Sequence, residues 1–498
     1  MPYQETLDDL ELLIRSRYPL LVLETEEEER VEAMLKMIAS RLSLHYYSWT
    51  RTRGLRRGAN AGDPFIEGTA EPDKALAEVE HEGAGIFHFP WLGGYMQDAM
   101  VASHLRDALS MFGPRRGAIV LSGRPIEIPD ALRAHATAMR FPAPDLDEYR
   151  QVFEKVVRDN SARAPVKVEL SAEERVRLLN NLTGLTLPQA ERIITKLLLT
   201  DGSLNPKDIG RAVTAKRQLV EQDGLLEYIR AEETMANVAG LAGLKEWLTK
   251  RRAMVADPVR AAAFGLSFPK GALLLGVPGC GKSLAAKAVA REWGLPLLKL
   301  DPANLYDKYV GNSEKNFKRA MQMAERMAPI VLWIDELEKA FAAGGGEDDG
   351  GVSKRVFGTF LSWLQDRKGD VFVVATSNDV AKLPPEFIRK GRFDEVFFVD
   401  LPKREARQGI FEIHLRKRKQ DPDGFDLPAL LAASEGFSGA EIEQAIVSGL
   451  YSAFTAGRPL STEFLCGELK RTRPLSMTMQ ERLGELRAWA QNRTVSAD

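Results

Sequence analysis

Cysteine is scarce: the 498 residues contain two, Cys280 and Cys466. That excludes a disulfide framework and a cysteine-built zinc site. Long apolar runs are missing, and none approaches the ~20 residues of a membrane-spanning helix. The opening stretch, MPYQETLDDLELLIRSRYPL, lacks a basic segment followed by an apolar stretch and a small-residue cleavage site, so it is not read as a secretory signal. An excess of either charge is also absent. The formal net charge is −2, which excludes a polycation built to coat nucleic acid or anionic lipid. With 44% hydrophobic and 28% charged residues, the composition is that of a soluble globular protein. At ~150 residues per domain, the length predicts about three compact units. These features point to the cytoplasm, with no membrane partner and nucleic acid disfavoured.

The chain alternates two kinds of pattern. Apolar runs at 18–25, 44–49, 85–90 and 117–123 predict strands, and helical spacing at 26–42, 72–82 and 97–112 predicts the intervening helices. Residues 51–70, rich in glycine, predict a loop. Such alternation implies a parallel sheet with helices on its faces. Four helices follow, at 145–159, 171–181, 187–200 and 206–222. The second half repeats the plan. Strands are expected at 272–277, 296–301, 329–335, 371–378 and 395–402, with helices between them and a helical segment to the end. The expected fold class is α/β. The expected domains are 1–144 (α/β), 145–222 (helical lid), 223–240 (linker), 241–402 (α/β core) and 403–498 (helical lid).

GVPGCGKS, Gly276 to Ser283, fits G-x-x-x-x-G-K-[ST] between a predicted strand and a helix-forming run. Gly276, Gly279 and Gly281 let the backbone of the loop, which also contains Val277, Pro278 and Cys280, turn so that successive N–H groups point inward at phosphate oxygens, Pro278 having none to offer. The following helix, with Leu284 in its first turn, adds its positive end. Lys282 is expected on the β- and γ-phosphates and Ser283 on Mg2+. The run VLWIDELEKA places Asp335 and Glu336 at the end of a buried strand, where ligands of parallel sheets bind. Asp335 suits a metal held through water, and Glu336 suits a general base. VFVVATSN ends in Asn378, an amide placed to hold the attacking water or γ-phosphate. FIRKGRFDE carries Arg389 and Arg392, either a salt-bridged surface or arginine fingers for a neighbour's phosphate.

With these motifs in place, residues 237–450 resemble an AAA ATPase module, of the clade that includes katanin, spastin and the bacterial membrane-bound AAA proteases. VLWIDELEKAF and FIRKGRFDEVFFVDLP are most similar to a cyanobacterial and plastid-encoded AAA family whose N-terminal half lacks a phosphate loop. The resemblance implies a P-loop core with a helical lid, preceded by a degenerate AAA-like module with a lid of its own. It implies ATP and Mg2+ as cofactors and assembly into a hexameric ring, in the cytoplasm or the plastid stroma. It makes Gly276–Ser283 the Walker A loop, Asp335 and Glu336 the end of Walker B, Asn378 sensor 1, and Arg389 and Arg392 the fingers. Ala239 and Gly240 fall where the adenine is wrapped, His414 near the ribose, and Gly439 and Ala440 where the lid approaches the nucleotide. Lys308, Tyr309 and Val310 match a pore loop that grips extended polypeptide, and 344–354 matches a second pore loop.

Two departures stand out. Cys280 replaces the family's usual threonine; beside a lysine and a helix start, its thiol is a candidate for a lowered pKa and for oxidation, against a plainly tolerated substitution. Asn312 replaces the usual glutamate after the pore-loop glycine. The first half has neither phosphate loop nor Asp-Glu pair, so it is expected to serve assembly or partner binding. His81-Glu82 lacks the second histidine of a zinc-protease motif, and His45, His88, His104 and His135 are read as structural. The functional expectation is a ring-forming Mg-ATP hydrolase that remodels or threads a protein. The alternatives are an ATP-dependent switch or scaffold, and a nucleic-acid motor.

Overall fold

The computed structural model describes residues 2–498 apart from 59, 61, 113–115, 124–125, 140, 163–164, 223, 302–311, 343–351, 368 and 390. Lys308, Tyr309 and Val310 therefore lie outside the described residues, as does 344–351 of the second expected pore loop. The chain forms two compact units, Met1–Asp208 and Ile209–Asp498.

The first unit contains strands β1 (Leu20–Leu23), β2 (His45–Thr50), β3 (Gly54–Arg57), β4 (Gly85–Pro90), β5 (Gly117–Ser122) and β6 (Ala136–Met139). Its helices are α1 (Pro2–Arg15), α2 (Glu28–Leu42), α3 (Pro72–Glu82) and α4 (Ala99–Met111), then α5 (Leu146–Ser161), α6 (Ala172–Leu182) and α7 (Leu187–Asp201). The sheet order is β3-β2-β4-β5-β1-β6, parallel except for β3. The helical part opens its helices with capping boxes: Asp145 with Glu148, Ser171 with Glu174 and Thr186 with Gln189. Each box satisfies two backbone donors that a helix start otherwise leaves unmet. A short parallel pair, β7 (Lys167–Val168) and β8 (Ser203–Leu204), ties the loops between them.

Helix α8 (Lys207–Glu221) belongs mostly to the second unit, where Val220 is buried in the core. The strands there are β9 (Leu226–Ile229), β10 (Gly271–Gly276), β11 (Leu297–Leu300), β12 (Ile330–Ile334), β13 (Val371–Ser377), β14 (Glu395–Val399) and β15 (Val495–Ser496). Their order is β15-β14-β10-β13-β12-β11-β9, with β9 antiparallel. Leaving out the edge strands β15 and β9, the order matches that of the first sheet without β3, so both units share one topology. Alternate residues of β10 explain why it sits centrally. Leu273 and Leu275 face one core, while Ala272 and Leu274 face the other. Burying each leucine contributes roughly 1.5–3 kcal/mol.

Helices α9 (Ala242–Ala256), α10 (Pro258–Ala263) and α11 (Lys282–Trp293) come before β11; α12 (Asn312–Arg326), α13 (Leu337–Ala342) and α14 (Val352–Asp366) come after it. Helix α11 presents Ala285, Ala286, Ala288 and Ala290, all buried, which allows its close packing. The lid comprises α15 (Arg404–Lys417), α16 (Leu427–Ala433), α17 (Gly439–Thr455) and α18 (Thr462–Arg471), followed by α19 (Leu475–Thr478) and α20 (Gln480–Ala490).

Several elements depart from expectation. The 51–70 loop contains β3, an edge strand whose two arginines and glycine disguise it. Strand β6 and helix α1 were not anticipated. The expected linker 223–240 supplies β9, which covers the outer edge of β11. The expected C-terminal lid is not wholly lid: Leu486 of α20 enters the sheet's core, and β15 pairs with β14.

Candidate active site

The phosphate loop leaves β10 through backbone that only glycine supplies. Gly276 has φ +135°, and a Cβ there would sit 2.1 Å from the Val399 carbonyl oxygen. Gly279 has φ +74°, and a Cβ would meet Ala440 and Ser438 of the lid at 3.0 and 3.1 Å. Gly281, also at positive φ, directly precedes α11. The Lys282 ammonium is buried and donates to the carbonyls of Gly276 (2.9 Å) and Val277 (2.7 Å). Burial lowers its pKa from 10.5 to about 8, the neighbouring carboxylates opposing the shift.

The loop opens into a cavity of about 500 Å³. Pro278, Gly279, Cys280, Gly281, Lys282, Ser283 and Leu284 line it, whereas Gly276 and Val277 are outside the lining and hold the Lys282 ammonium through their carbonyls. Asp335, Glu336 and Asn378 line the same cavity. The Ser283 hydroxyl lies 3.0 Å from Asp335 Oδ1. Thr376 joins the acids: its hydroxyl donates to Asp335 Oδ1 at 2.5 Å and accepts the Glu336 backbone N–H at 3.1 Å. Glu336 holds a left-handed φ of 51° and pairs with Lys339 at 2.5 Å. A non-glycine residue in that region costs roughly 1–3 kcal/mol and persists only when its surroundings over-determine it. The Asn378 backbone N–H donates to Glu338 Oε1 at 3.0 Å.

Val238, Ala239, Ile410 and Ile413 give the cavity apolar or small lining residues, beside the polar Glu233, Asn237, His414, Lys417 and Glu443. His414 Nδ1 lies 3.3 Å from Glu443 Oε1; burial lowers its pKa, with Glu443 opposing the shift. Gly439 and Ala440 close the cavity from α17, and the Ala440 N–H donates to the Gly279 carbonyl at 3.0 Å. Gly240 stands behind the wall, at φ +69°. Arg389 and Arg392 are not in the cavity lining; Arg389 is exposed, and Arg392 donates to the Glu386 carbonyl.

Several cavity groups were not expected. Thr376 was legible in principle as a hydroxyl near the end of an otherwise apolar strand. The Lys417–Glu233 pair (3.1 Å), which ties the lid to the opposite wall, had no sequence signal, nor did the buried Glu338, which stands outside the lining and accepts the Asn378 N–H. The lowered thiol pKa considered for Cys280 is corrected. Burial pushes that thiol up to about 12, outweighing Lys282 beside it.

The cavity fits Mg-ATP. The glycine turns aim backbone N–H groups at an anion, and the Ser283–Asp335 donor pair is all oxygen, as a hard divalent cation prefers. The turn after β1 differs entirely: it carries Glu24, Thr25, Glu26 and Glu27 and no glycine. Glu27 is buried there, paired with Arg30, and accepts the Leu187 N–H at 3.0 Å. Arg30 in turn bonds Glu148 at 2.8 Å. A carboxylate occupies the turn where the second unit has its phosphate nest.

Comparison with known proteins agrees with this geometry. Residues 272–401 match the family model of the ATPase family associated with various cellular activities (AAA). Residues 6–141 match the N-terminal domain of SpoVK-like AAA ATPases, and 147–223 the second domain. The AAA domain-containing protein ycf46 of Trieres chinensis is 36% identical over 490 residues, covering 97% of this chain and 96% of that protein. The ycf46 protein of Guillardia theta is 36% identical over 490 residues, 98% and 95% of the two chains. The ATP-dependent zinc metalloprotease FtsH 3 of Sphaerobacter thermophilus is 32% identical over 300 residues, 57% of this chain and 60% of that one. The chain is an ATP-hydrolysing AAA protein and belongs to the family of the ycf46 AAA domain-containing proteins.

Proposed function

We propose that this ATPase works as a ring, and that turnover of Mg-ATP in the second unit remodels or threads a protein. The observation that carries the reading is the convergence of a glycine nest, Lys282, the Asp335–Glu336 pair and the lid residues Gly439 and Ala440 on one cavity. The triphosphate lies along Gly279–Ser283, with Lys282 as its counter-charge. Ser283 and Asp335, 3.0 Å apart, would hold the accompanying Mg2+, which when bound would supply neutralisation of charge on the phosphate oxygens. Glu336 takes the proton of the attacking water, and Asn378 orients that water. The base rests between Ala239 and His414.

Assembly follows from the arginines. Arg389 and Arg392 follow β13 in the chain yet stand apart from their own cavity, so they serve a neighbouring copy's phosphate. Protein as the substrate is supported by the relatives: one is a metalloprotease, and a 33% identical one from Saccharolobus islandicus is a proteasome-activating nucleotidase. Tyr309 is the gripping residue. The first unit, with Glu27 in place of a phosphate nest, serves assembly or partner binding. No described helix is long and apolar enough to cross a membrane. We divide the chain at 144, 222, 240 and 402, with β9 and β15 returning to the second core.

The test is a trap. Glu336→Gln should bind ATP, release no phosphate and hold the ring together with its protein substrate. Tyr309→Ala should keep ATPase activity and lose remodelling. Remodelling left intact by Tyr309→Ala would favour a nucleotide-dependent switch instead.

A further inference from the structure

Residues 495–498 do not line the cavity but pack against the segment that leads from its wall into α9. Strand β15 pairs with β14, bringing Ser496 beside Phe398, and the Ala497 N–H donates to the Phe398 carbonyl at 3.0 Å. Ala497 is 1% exposed and packs in the same core as Val238, Leu241 and Leu244. Its carbonyl accepts the Leu244 N–H at 3.1 Å. Asp498 then turns its carboxylate onto the Leu241 N–H, a contact across 257 residues of sequence. Leu241 adopts a left-handed φ of 55°, unusual for a branched residue, at the start of α9. Glycines make room for the strap. A Cβ on Gly240 would lie 3.0 Å from Asp498 Oδ1, and one on Gly243 3.0 Å from the Ser496 carbonyl oxygen. Lys245, in the first turn of α9, donates to the Val238 carbonyl.

Leu241 is three residues from Val238 and two from Ala239, which both line the cavity. We propose that Asp498 is a positioning residue for nucleotide binding: through the Leu241 N–H it fixes the start of α9 and with it the Val238–Ala239 wall against the base, and so fixes affinity for the nucleoside rather than the phosphates. The inference rests on the reading of this cavity as the ATP site. Asp498 touches no part of the phosphate loop in the hydrogen bonds described, so its effect separates from that of Lys282.

The test compares the full chain with Asp498→Ala and Asp498→Asn, titrated with ADP and with inorganic tripolyphosphate, which lacks the base. Losing one charge-assisted hydrogen bond should weaken ADP binding by roughly tenfold in Asp498→Ala. Tripolyphosphate affinity and turnover at saturating ATP should stay within about twofold, because the phosphate end is untouched. Asp498→Asn keeps an acceptor oxygen and should restore ADP binding. Gly243→Ala, which pushes on Ser496 from the helix side, should weaken ADP in the same sense and stands in if Asp498→Ala does not fold. Unchanged ADP affinity in Asp498→Ala overturns the proposal. So does an equal loss for tripolyphosphate, which would make the strap a matter of general stability. Absence of ADP binding by the unaltered chain would overturn the ATP-site reading along with the proposal.

Discussion

The Thr376 hydroxyl donates to Asp335 Oδ1 at 2.5 Å while accepting the backbone N–H of Glu336, so one side chain fixes both acids of the site. Thr376 is 2% exposed and belongs to β13, the strand hydrogen-bonded between β10 and β12. It holds Asp335 toward Ser283 and supports Glu336 in its left-handed backbone.

Thr376→Val preserves shape and removes the hydroxyl. It should lower kcat by roughly tenfold or more, the cost of losing one to two hydrogen bonds that orient the acids. ADP affinity should change by less than about threefold, since neither partner belongs to the glycine nest. Phosphate release at saturating ATP, paired with an ADP titration, checks both; wild-type turnover would show that Thr376 is a packing residue alone.

The arginines supply a test in trans. Arg392→Ala and Arg389→Ala should each depress turnover by roughly 10³-fold or more and leave nucleotide affinity nearly unchanged, as loss of a finger does. Mixing Arg389→Ala with Glu336→Gln, both inactive alone, should restore phosphate release. Intact Glu336 in one copy then meets intact Arg389 in the next. A mixture as inactive as its parts would place Arg389 outside any neighbour's site.

How much of this was legible follows from range. The glycines of 276–281, the acids closing β12 and the capping pair Ser438–Glu441 are local patterns, and the structure brings the cavity-lining members of the first two together. Strand β9 was not legible: four residues, Leu226–Ile229, with a glutamate inside, gain their identity only by pairing with β11 some seventy residues later. Strand β15 is two residues long, and its meaning lies in Phe397 and Phe398. Of the two readings of Cys280, the lowered-pKa one fails on physics rather than pattern, while the tolerated substitution stands uncontradicted. Proximity to Lys282 was weighed without the burial that outweighs it.

The first unit carries a pH-dependent term. His88 is 1% exposed, its Nδ1 3.0 Å from the Tyr46 hydroxyl and its Nε2 2.7 Å from Ser122 Oγ. Burial lowers its pKa from 6.5 to about 4. The folded state binds this proton more weakly than the unfolded one. Stability from His88 is therefore complete above pH 6.5 and is lost as pH falls toward 4. Between pH 7 and pH 5 the loss should be about 2 kcal/mol. Urea unfolding of the full chain at both pH values, compared with His88→Gln, isolates it; an equal pH response in the variant would remove His88 from the account.

The central claim is that the cavity beneath Gly279–Ser283 takes adenine nucleotide through Lys282. Calorimetric titration of ADP with magnesium into the wild-type chain and Lys282→Ala tests it most directly. The account predicts saturable binding at one site per chain for the wild type and a loss of at least about a hundredfold in the variant, as removal of a buried charged partner of phosphate entails. No uptake by the wild-type chain, or equal affinity in Lys282→Ala, would contradict it.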